Sequence, residues 1–518
     1  MDHHDAAVSG WPVNAQAQMK NISGKNVLVL GLGQSGLALA RWCVRSGASV
    51  TVADTRSEPP QLEALRSTLP QVVFLCAPLD EALFNSAVFD LVLKSPGLTP
   101  LSIAPITDAA AARGTAVGNE LSVFSQVLKE LQTEHGYAPQ VIGITGTNGK
   151  TTVTALTAQL VARAGKSVAM AGNIGPTLLD TLSERIDAQQ LPDVWVLELS
   201  SFQLDGVRNF EPTVATVLNL SQDHLDWHET NAAYAAAKAN IYGSQARLLL
   251  NRNDAQVMAS KPVEGKGKPL RKYVTFGLDE PQRAGDYGIA TLNGIAWLVR
   301  AAELDESIKP KRGSAAETVE LFIQRLMPVD ALRIAGLHNA ANALAALALA
   351  TTVGCAAAAT LHGLREYRGE PHRFQSVAVV DGIEYFDDSK ATNVGAVVAA
   401  MSGLGAGRKL VVILGGDGKG QDFSPLLEPV LRYARAVVLI GRDAPLIRSA
   451  LKEASAILFE AASMAEAVSL ATSKARVGDA VLMSPACASF DMFDNYKHRA
   501  HVFCDAVAAL AVDRGVTL

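Results

Sequence analysis

Along the chain, short runs of β-branched and aliphatic residues alternate with longer stretches of helical spacing, and most runs close on Gly, Ser, Asn or Asp. Asn26 to Arg56 shows the unit most fully: an apolar run, a glycine turn, an amphipathic stretch, then a second apolar run ending at Asp54. This spacing predicts a strand, helix and strand in parallel. Further runs at Val72–Leu75 and Leu91–Lys94, the latter followed by the turn Ser95–Gly97, extend the sheet to about Val117. A helix from about Asn119 to Leu131 leads to a new set of strands at Gln140–Gly146, Val194–Ser200 and Val214–Leu220. A third alternating block begins near Pro371, with strands at Lys409–Gly418, Ala436–Arg442 and Ala480–Ser489.

The fold predicted is therefore α/β, as three consecutive α/β domains over 22–121, 122–368 and 369–518, preceded by a loose tail over 1–21. Within the middle domain the pattern weakens from 255 to 330 into Lys, Glu, Gly and Pro-rich sequence, which predicts a long surface excursion. Ile334 to Leu364 holds no Asp, Glu, Lys or Arg, but its bulk is Ala, Thr and Gly with His338, Asn339 and Asn342 near the start. That composition predicts a buried helix rather than a membrane span.

Composition changes this picture little. With 518 residues, 49% hydrophobic and 19% charged, the chain is long enough for several cores and too apolar to be disordered. The net charge of −5 advertises no polyanion partner, so any phosphate must be held by local groups. Five scattered cysteines without a CxxC pair predict reduced thiols. The opening residues lack the basic start and apolar run of a secretory leader, and a cytoplasmic protein is expected.

Two glycine motifs carry the candidate chemistry. Gly31–Gly36 reads GLGQSG after a strand and before a helix, with Asp54 about twenty residues on. Such a turn brings a helix N-terminus to a diphosphate, and by itself leaves open whether that belongs to NAD or to another nucleotide. Thr145–Thr152 reads TGTNGKTT at another strand-to-helix junction, where backbone N–H groups, Lys150 and the Thr151 hydroxyl can hold a triphosphate and its magnesium. The loop is a variant: the usual first glycine position is Ile144, with Gly143 and Gly146 on either side. Glu198 ends one strand of the same block, and Asp223, His224 and Asp226 follow the next. Oxygen-rich strand ends suit magnesium, which makes Glu198 a natural ligand and His224 an unusual one. Lys238 lies in an Ala-rich helical stretch, where periodicity alone predicts a solvent-facing lysine.

Together these motifs resemble the Mur ligase family. The resemblance runs from about Asn26 to the C-terminus through GLGQSG, Asp54–Arg56, Ser95–Gly97, TGTNGKTT, Gly172–Gly175, LELSSFQL, DHLD, the Lys238 stretch, GLHNAANALAA, Pro371–Phe374, Asp387–Asn393, Gly415–Phe423 and SPACASFD. The last four are similar to those of the D-glutamate-adding branch.

The resemblance implies a Rossmann-like UDP-binding domain, a central P-loop ATPase-type domain and a C-terminal Rossmann-like amino-acid-binding domain. It implies UDP rather than NAD at the first motif, with Gln34 and Ser35 at the diphosphate, Asp54, Thr55 and Arg56 at the uracil end, and Ser95 and Gly97 alongside. ATP would lie on Gly146, Thr147, Asn148, Gly149, Lys150, Thr151 and Thr152, with Asn339 and Asn342 near adenine, Arg373 on the γ-phosphate and Asp388 at the ribose. Two magnesium ions would be held by Thr151, Glu198, His224 and a carbamylated Lys238, while Asn173 positions the acceptor carboxylate. Lys390, Thr392, Lys419, Ser489 and Tyr496 would surround D-glutamate. The implied reaction forms an amide through an acyl phosphate at the expense of ATP, in peptidoglycan precursor synthesis. The implied partners are small molecules only, without nucleic acid or membrane, in a protein expected to be a monomer.

Two departures from the family stand out: the 255–330 segment is long, and Phe490 and Tyr496 replace a more usual leucine and phenylalanine beside the amino-acid site. A Rossmann dehydrogenase would account for GLGQSG and leave TGTNGKTT and GGDGKG without a role. A non-catalytic nucleotide-binding regulator would need no Glu198, His224 and Lys238. An amide ligase of the folylpolyglutamate synthase type fits the phosphate loop but not GGDGKGQDF.

Overall fold

β-branched residues favour the pleated backbone and glycines end it, and the strands of this protein follow that rule closely. The computed structural model describes residues 22–85, 87–263, 271–303 and 321–516. The expected tail over 1–21 and the whole Asp305–Glu317 stretch lie outside the described residues. In chain order the strands are β1 (Asn26–Leu30), β2 (Ser49–Asp54), β3 (Val73–Cys76), β4 (Leu91–Lys94), β5 (Ala116–Asn119), β6 (Gln140–Thr145), β7 (Val168–Gly172), β8 (Val194–Glu198), β9 (Val214–Val217) and β10 (Arg247–Asn251). They continue as β11 (Tyr273–Phe276), β12 (Tyr287–Leu292), β13 (Ile295–Glu303), β14 (Leu321–Pro328), β15 (Gln375–Val380), β16 (Ile383–Asp387), β17 (Leu410–Gly415), β18 (Ala434–Ile440), β19 (Leu458–Glu460) and β20 (Ala480–Met483).

The chain divides into two units, and it passes from one to the other within β6. The first comprises Met1–Gly143, Lys166–Thr213 and Asn240–Gln245. Its five-stranded sheet has the order β3-β2-β1-β4-β5, parallel throughout. Strand order reverses between β1 and β4, so a crevice opens at their C-terminal ends, where ligands of open α/β sheets bind. In the same unit β7 and β8 pair in parallel with Gly172 opposite Glu198. The helices Gln34–Arg45, Glu120–His135 and Leu178–Asp187 pack on one another there.

The second unit comprises Ile144–Gly165, Val214–Ala239 and Ala246–Leu518. Here β9, β10, β11 and β12 run parallel, and β13 and β14 add antiparallel strands. The Ala-rich segment forms the helix Leu337–Thr352, most of whose Leu and Ala residues are buried, and it packs against the helix Lys150–Arg163 and the β9–β12 strands. No helix among the described residues is long and apolar enough to cross a membrane. The C-terminal sheet has the order β15-β16-β20-β17-β18-β19, with only the β15 edge antiparallel.

One expectation is corrected. The described part of 255–330 is not a surface excursion: β11 to β14 widen the sheet, and Tyr287, Ala290, Leu298, Val299 and Met327 are buried in its core. The overlooked signal was Asn293–Gly294 between two alternating runs. Both residues have positive φ, 52° and 79°, as the tight hairpin turn joining β12 and β13 requires.

Candidate active site

The first glycine motif forms a cleft at the predicted crevice. Gly31 turns with φ +82°, and a Cβ on Gly36 would lie 2.0 Å from the Gly31 carbonyl, so the helix Gln34–Arg45 can start this close only with glycine. The cleft, of about 440 Å³, is lined by all seven residues expected at UDP: Gln34, Ser35, Asp54, Thr55, Arg56, Ser95 and Gly97. No side chain caps the N-terminus of that helix, which leaves its amides facing an anion site.

Asp54, besides lining the cleft, organises its turn. It is 3% exposed, and its carboxylate accepts from the Leu32 amide at 2.7 Å, the Arg56 amide at 2.9 Å, and Arg56 Nε and Nη2 at 2.9 and 2.8 Å. Burial would raise its pKa, but these bonds to Arg56 and Leu32 prevail and bring it down to about 2. Asp54 thus fixes the glycine turn and aims Arg56. Ser95 likewise ties its hydroxyl to the Gly31 carbonyl at 2.8 Å.

Behind this cleft stands Glu120, which sequence reasoning missed. It is 2% exposed; Oε1 accepts from the Leu179 amide at 3.0 Å, Ser35 also bonds it, and Oε2 has no partner. Burial, with Asp180 nearby, pushes it up to about 7 against the bonds from Leu179 and Ser35. In the same unit, Gly172 has φ +105°, and a Cβ there would meet the Glu198 carbonyl at 2.3 Å. This close approach sets Asn173 beside Glu198, whose Oε1 accepts from Asn173 Nδ2 at 2.7 Å. Glu198 is 1% exposed and its Oε2 has no partner. A buried carboxylate oxygen left over in this way suits a cation, since without one it would carry its full desolvation cost.

In the second unit the TGTNGKTT loop closes on the helix Lys150–Arg163, with Gly149 at its N-cap in a left-handed conformation. A Cβ on Gly149 would meet Asn342 Oδ1 at 2.6 Å. Lys150 Nζ donates to the Gly146 and Thr147 carbonyls at 2.9 and 2.8 Å, and Arg373 Nη2 donates to Thr151 Oγ1 at 2.6 Å. A cavity of about 340 Å³ is lined by eight of the expected nucleotide and amino-acid residues: Asn148, Gly149, Thr152, Asn339, Asn342, Arg373, Asp388 and Lys390. Phe276, His338 and Phe374, not singled out from sequence, supply ring surface to the same cavity. Asn342 Nδ2 donates to Asn339 Oδ1 at 3.2 Å. Burial pushes Asp388 up to about 7, against bonds from Ser484 and the Phe374 amide and the charge of Arg373.

His224 sits with φ 55° at the start of the turn Leu225–His228, 3.7 Å from Asp223. Burial lowers its pKa, as do Lys419, Lys150 and Lys238, while Asp223 opposes them. Lys238 is not the solvent-facing lysine that periodicity predicts. It is 1% exposed, donates to Thr145 Oγ1 at 3.2 Å and the Gly146 carbonyl at 2.9 Å, and lies 4.7 Å from the Tyr234 ring centre. Among the described residues, no three of His, Cys, Asp or Glu are grouped to hold a metal. A carbamate on Lys238 would add two oxygens where the bare ammonium repels a cation.

The residues expected at the amino acid lie on three segments, around 390, 419 and 489–496. Lys390 Nζ stands 3.9 Å from the Tyr496 ring centre. Gln421 Nε2 bonds the carbonyls of Gly418, Ala486 and, at 3.4 Å, Thr392. Lys419 is exposed with φ 51°, Ser489 is buried, and Phe490 points to solvent. Arg499, fully buried, donates to Ser389 Oγ at 3.0 Å and to the Cys487 and Ser389 carbonyls at 3.0 and 2.7 Å. Gln421, although it lies within Gly415–Phe423, and Arg499 were given no role from the sequence. Each reaches a backbone carbonyl far along the chain, Ala486 for Gln421 and Ser389 for Arg499, which no local pattern reports.

Comparison with known proteins accords with this arrangement. Family models match residues 25–118 as the Mur ligase MurD-like N-terminal domain, 144–350 as the Mur ligase middle domain, and 372–487 as the Mur ligase glutamate ligase domain. The chain is similar to a UDP-N-acetylmuramoylalanine--D-glutamate ligase of Albidiferax ferrireducens, with 59% identity over 96% of this chain and 98% of that protein. Proteins of the same name from Polaromonas sp. and Burkholderia pseudomallei are 54% and 55% identical, over 96% and 95% of this chain and 100% and 98% of theirs. Among solved structures, MurF ligase of Thermotoga maritima in complex with ADP shares the fold with TM-score 0.55, 15% identity and coverage of 95% of this chain and 97% of that one. MurF of Acinetobacter baumannii does so with TM-score 0.54, 18% identity and coverage of 94% and 91%. With relatives this similar over nearly its whole length, the chain belongs to the Mur ligase family, in its UDP-N-acetylmuramoylalanine--D-glutamate ligase branch.

Proposed function

We propose that this protein is an ATP-dependent ligase that adds D-glutamate to UDP-N-acetylmuramoyl-L-alanine, in the cytoplasm, during peptidoglycan precursor synthesis. The observation that carries the reading is the single cavity bounded by the phosphate loop, Asn339, Asn342, Arg373, Asp388 and Lys390, which joins a nucleotide site to a cationic acceptor site. Three functional domains, bounded near 121 and 368, and a monomeric protein belong to the same proposal.

When bound, ATP supplies the phosphoryl group that turns the alanyl carboxylate into an acyl phosphate, and magnesium supplies charge neutralisation. The chain supplies the rest. Amides at the start of the helix Lys150–Arg163 and the Lys150 ammonium cradle phosphate oxygens. Lys150, now on its own loop carbonyls, has only to rotate outward to reach them. Arg373, already at Thr151 in the structure, reaches the transferred group and spreads its charge. In the second unit Thr151, His224 and a carbamylated Lys238 would hold metal ions, and in the first Glu198 would serve as a further metal ligand while Asn173, oriented by it, would present the acceptor carboxylate. Gln34, Ser35, Thr55, Arg56, Ser95 and Gly97 hold the UDP moiety.

Lys390, Thr392, Lys419, Ser489 and Tyr496 bind D-glutamate so that its neutral amine faces the activated carbonyl. Amine attack expels phosphate and leaves an amide, a step that needs proximity and charge screening more than a strong base. Release of ADP and phosphate, measured with UDP-N-acetylmuramoyl-L-alanine and each of several amino acids, tests the reading. D-glutamate should be required, and equal turnover with L-alanine or meso-diaminopimelate would overturn it.

A further inference from the structure

Asn393 belongs to none of the groups given a role so far, although it ends the segment that carries Asp388, Lys390 and Thr392. It is 4% exposed, and every polar atom of its side chain is engaged. Oδ1 caps the helix Val394–Gly405 by accepting from the Ala396 amide at 2.9 Å, and it also accepts from Asn148 Nδ2 at 3.1 Å. Nδ2 returns a bond to Asn148 Oδ1 at 2.9 Å and donates to Asp223 Oδ2 at 3.3 Å. Asn148 is the asparagine of the phosphate loop, and Asp223 precedes His224.

The loop side of this pair is itself rigid. The Asn148 amide donates to Asn219 Oδ1 at 2.8 Å, and Asn219 Nδ2 donates back to the Asn148 carbonyl at 3.1 Å. The next residue on the helix side is glycine for a reason: a Cβ on Gly395 would stand 2.7 Å from Ser221 Oγ and 3.5 Å from Asn148 Nδ2. The sequence thus lets a helix end press against the phosphate loop and places there an amide, a neutral group that donates through its nitrogen and accepts through its oxygen at once.

We propose that Asn393 is a positioning residue that couples the phosphate loop to the amino-acid site. The bonds from Asn148 and to Asp223 fix the N-terminus of the helix Val394–Gly405, and with it Lys390 and Thr392 just upstream. The phosphate loop and the Lys390–Thr392 segment are then held in register by one side chain. Nucleotide binding, by ordering the loop, should therefore tighten amino-acid binding, and the two sites should be thermodynamically linked. This rests on the proposed function, since it takes the second ligand to be D-glutamate.

Two variants separate coupling from helix capping. Asn393→Ser keeps a capping oxygen and loses the amide pair; Asn393→Asp also caps, but loses both donated bonds and sets a carboxylate against Asp223. Calorimetric binding of D-glutamate is measured with and without a non-hydrolysable ATP analogue, alongside binding of the UDP substrate as a check of folding. In the wild type the analogue should tighten D-glutamate binding, and in both variants this enhancement should fall about tenfold, with D-glutamate binding to the nucleotide-free protein changed little. Asn148→Ser, at analogue concentrations shown to saturate it, should lower the same enhancement by a like factor, and the double variant Asn148→Ser/Asn393→Ser should lose no more than either single one. An enhancement equal to the wild type's in either folded Asn393 variant, or additive losses in the double variant, would overturn the proposal. Should both Asn393 variants fail to bind UDP substrate, Asn148→Ser decides: an undiminished enhancement in it overturns the coupling equally. Failure of the wild type to turn over D-glutamate at all would instead overturn the functional reading.

Discussion

Replacing Glu120 by Gln gives a measurable test of how the UDP cleft is built. The carboxyl is buried, with Asp180 the nearest charge acting on it and Arg41 3.6 Å from Asp180. Burial raises its pKa from 4.5 to about 7, so the folded protein binds a proton here that the unfolded chain releases near pH 4.5. The sign follows: the contribution is fully present below pH 4.5 and is lost as pH rises through about 7. Between pH 5 and pH 8.5 the wild type should lose on the order of 2.5 kcal/mol through this one group, from linkage at 1.36 kcal/mol per tenfold in proton affinity.

Glu120→Gln keeps an acceptor for the Leu179 amide and the Ser35 hydroxyl but cannot ionise. Its amide nitrogen takes the place of the unpartnered Oε2, a penalty independent of pH. The observable is therefore the difference between two pH values, not stability at either. In differential scanning calorimetry at pH 5 and pH 8.5, the wild type should lose roughly 5–10 °C more than the variant, at about 2–4 °C per kcal/mol for a unit of this size. Parallel pH dependence in the two proteins would refute the reasoning and show that Glu120 titrates as an ordinary carboxylate.

Other outcomes follow from the same geometry. Lys238→Ala should lower kcat by roughly 10²–10³-fold while leaving UDP-substrate binding intact, and short carboxylic acids in the buffer should restore part of the rate; full activity without them would refute a carbamate role. Gly149→Ala faces both φ +83° and an oxygen 2.6 Å from the new Cβ, so nucleotide protection in limited proteolysis should disappear. With D-glutamine in place of D-glutamate, kcat/KM should drop about 10–100-fold, because a cation such as Lys419 loses its carboxylate; equal kcat/KM would remove Lys419 from that role.

Much of the fold was legible because its signals are local. Gly31 and Gly149 turn with positive φ and Gly36 lies against the Gly31 carbonyl, so the local backbone demands glycine at each, and the strand–turn–helix spacing around them points to a phosphate site without knowledge of the rest. The seven residues expected at UDP line one cavity, and seven of the eleven expected at ATP line another. The hairpin at Asn293–Gly294 was equally local and was missed only because its surroundings are rich in Lys, Glu and Gly.

What tertiary structure alone decided is the direction in which polar side chains face. Asp54 and Lys238 sit at positions where sequence predicts a ligand contact and a solvated lysine. Folding turns the first onto Arg56 and the second onto the Gly146 carbonyl. Glu120 and Arg499 lie in no motif and Asn393 only closes one, and what each does is defined by partners from 59 to 245 positions away: the Leu179 amide for the first, Ser389 for the second, Asn148 for the third. Periodicity reports only which face of an element is apolar. A buried polar group is determined by which faces meet, and by the cost of leaving it unpaired when they do.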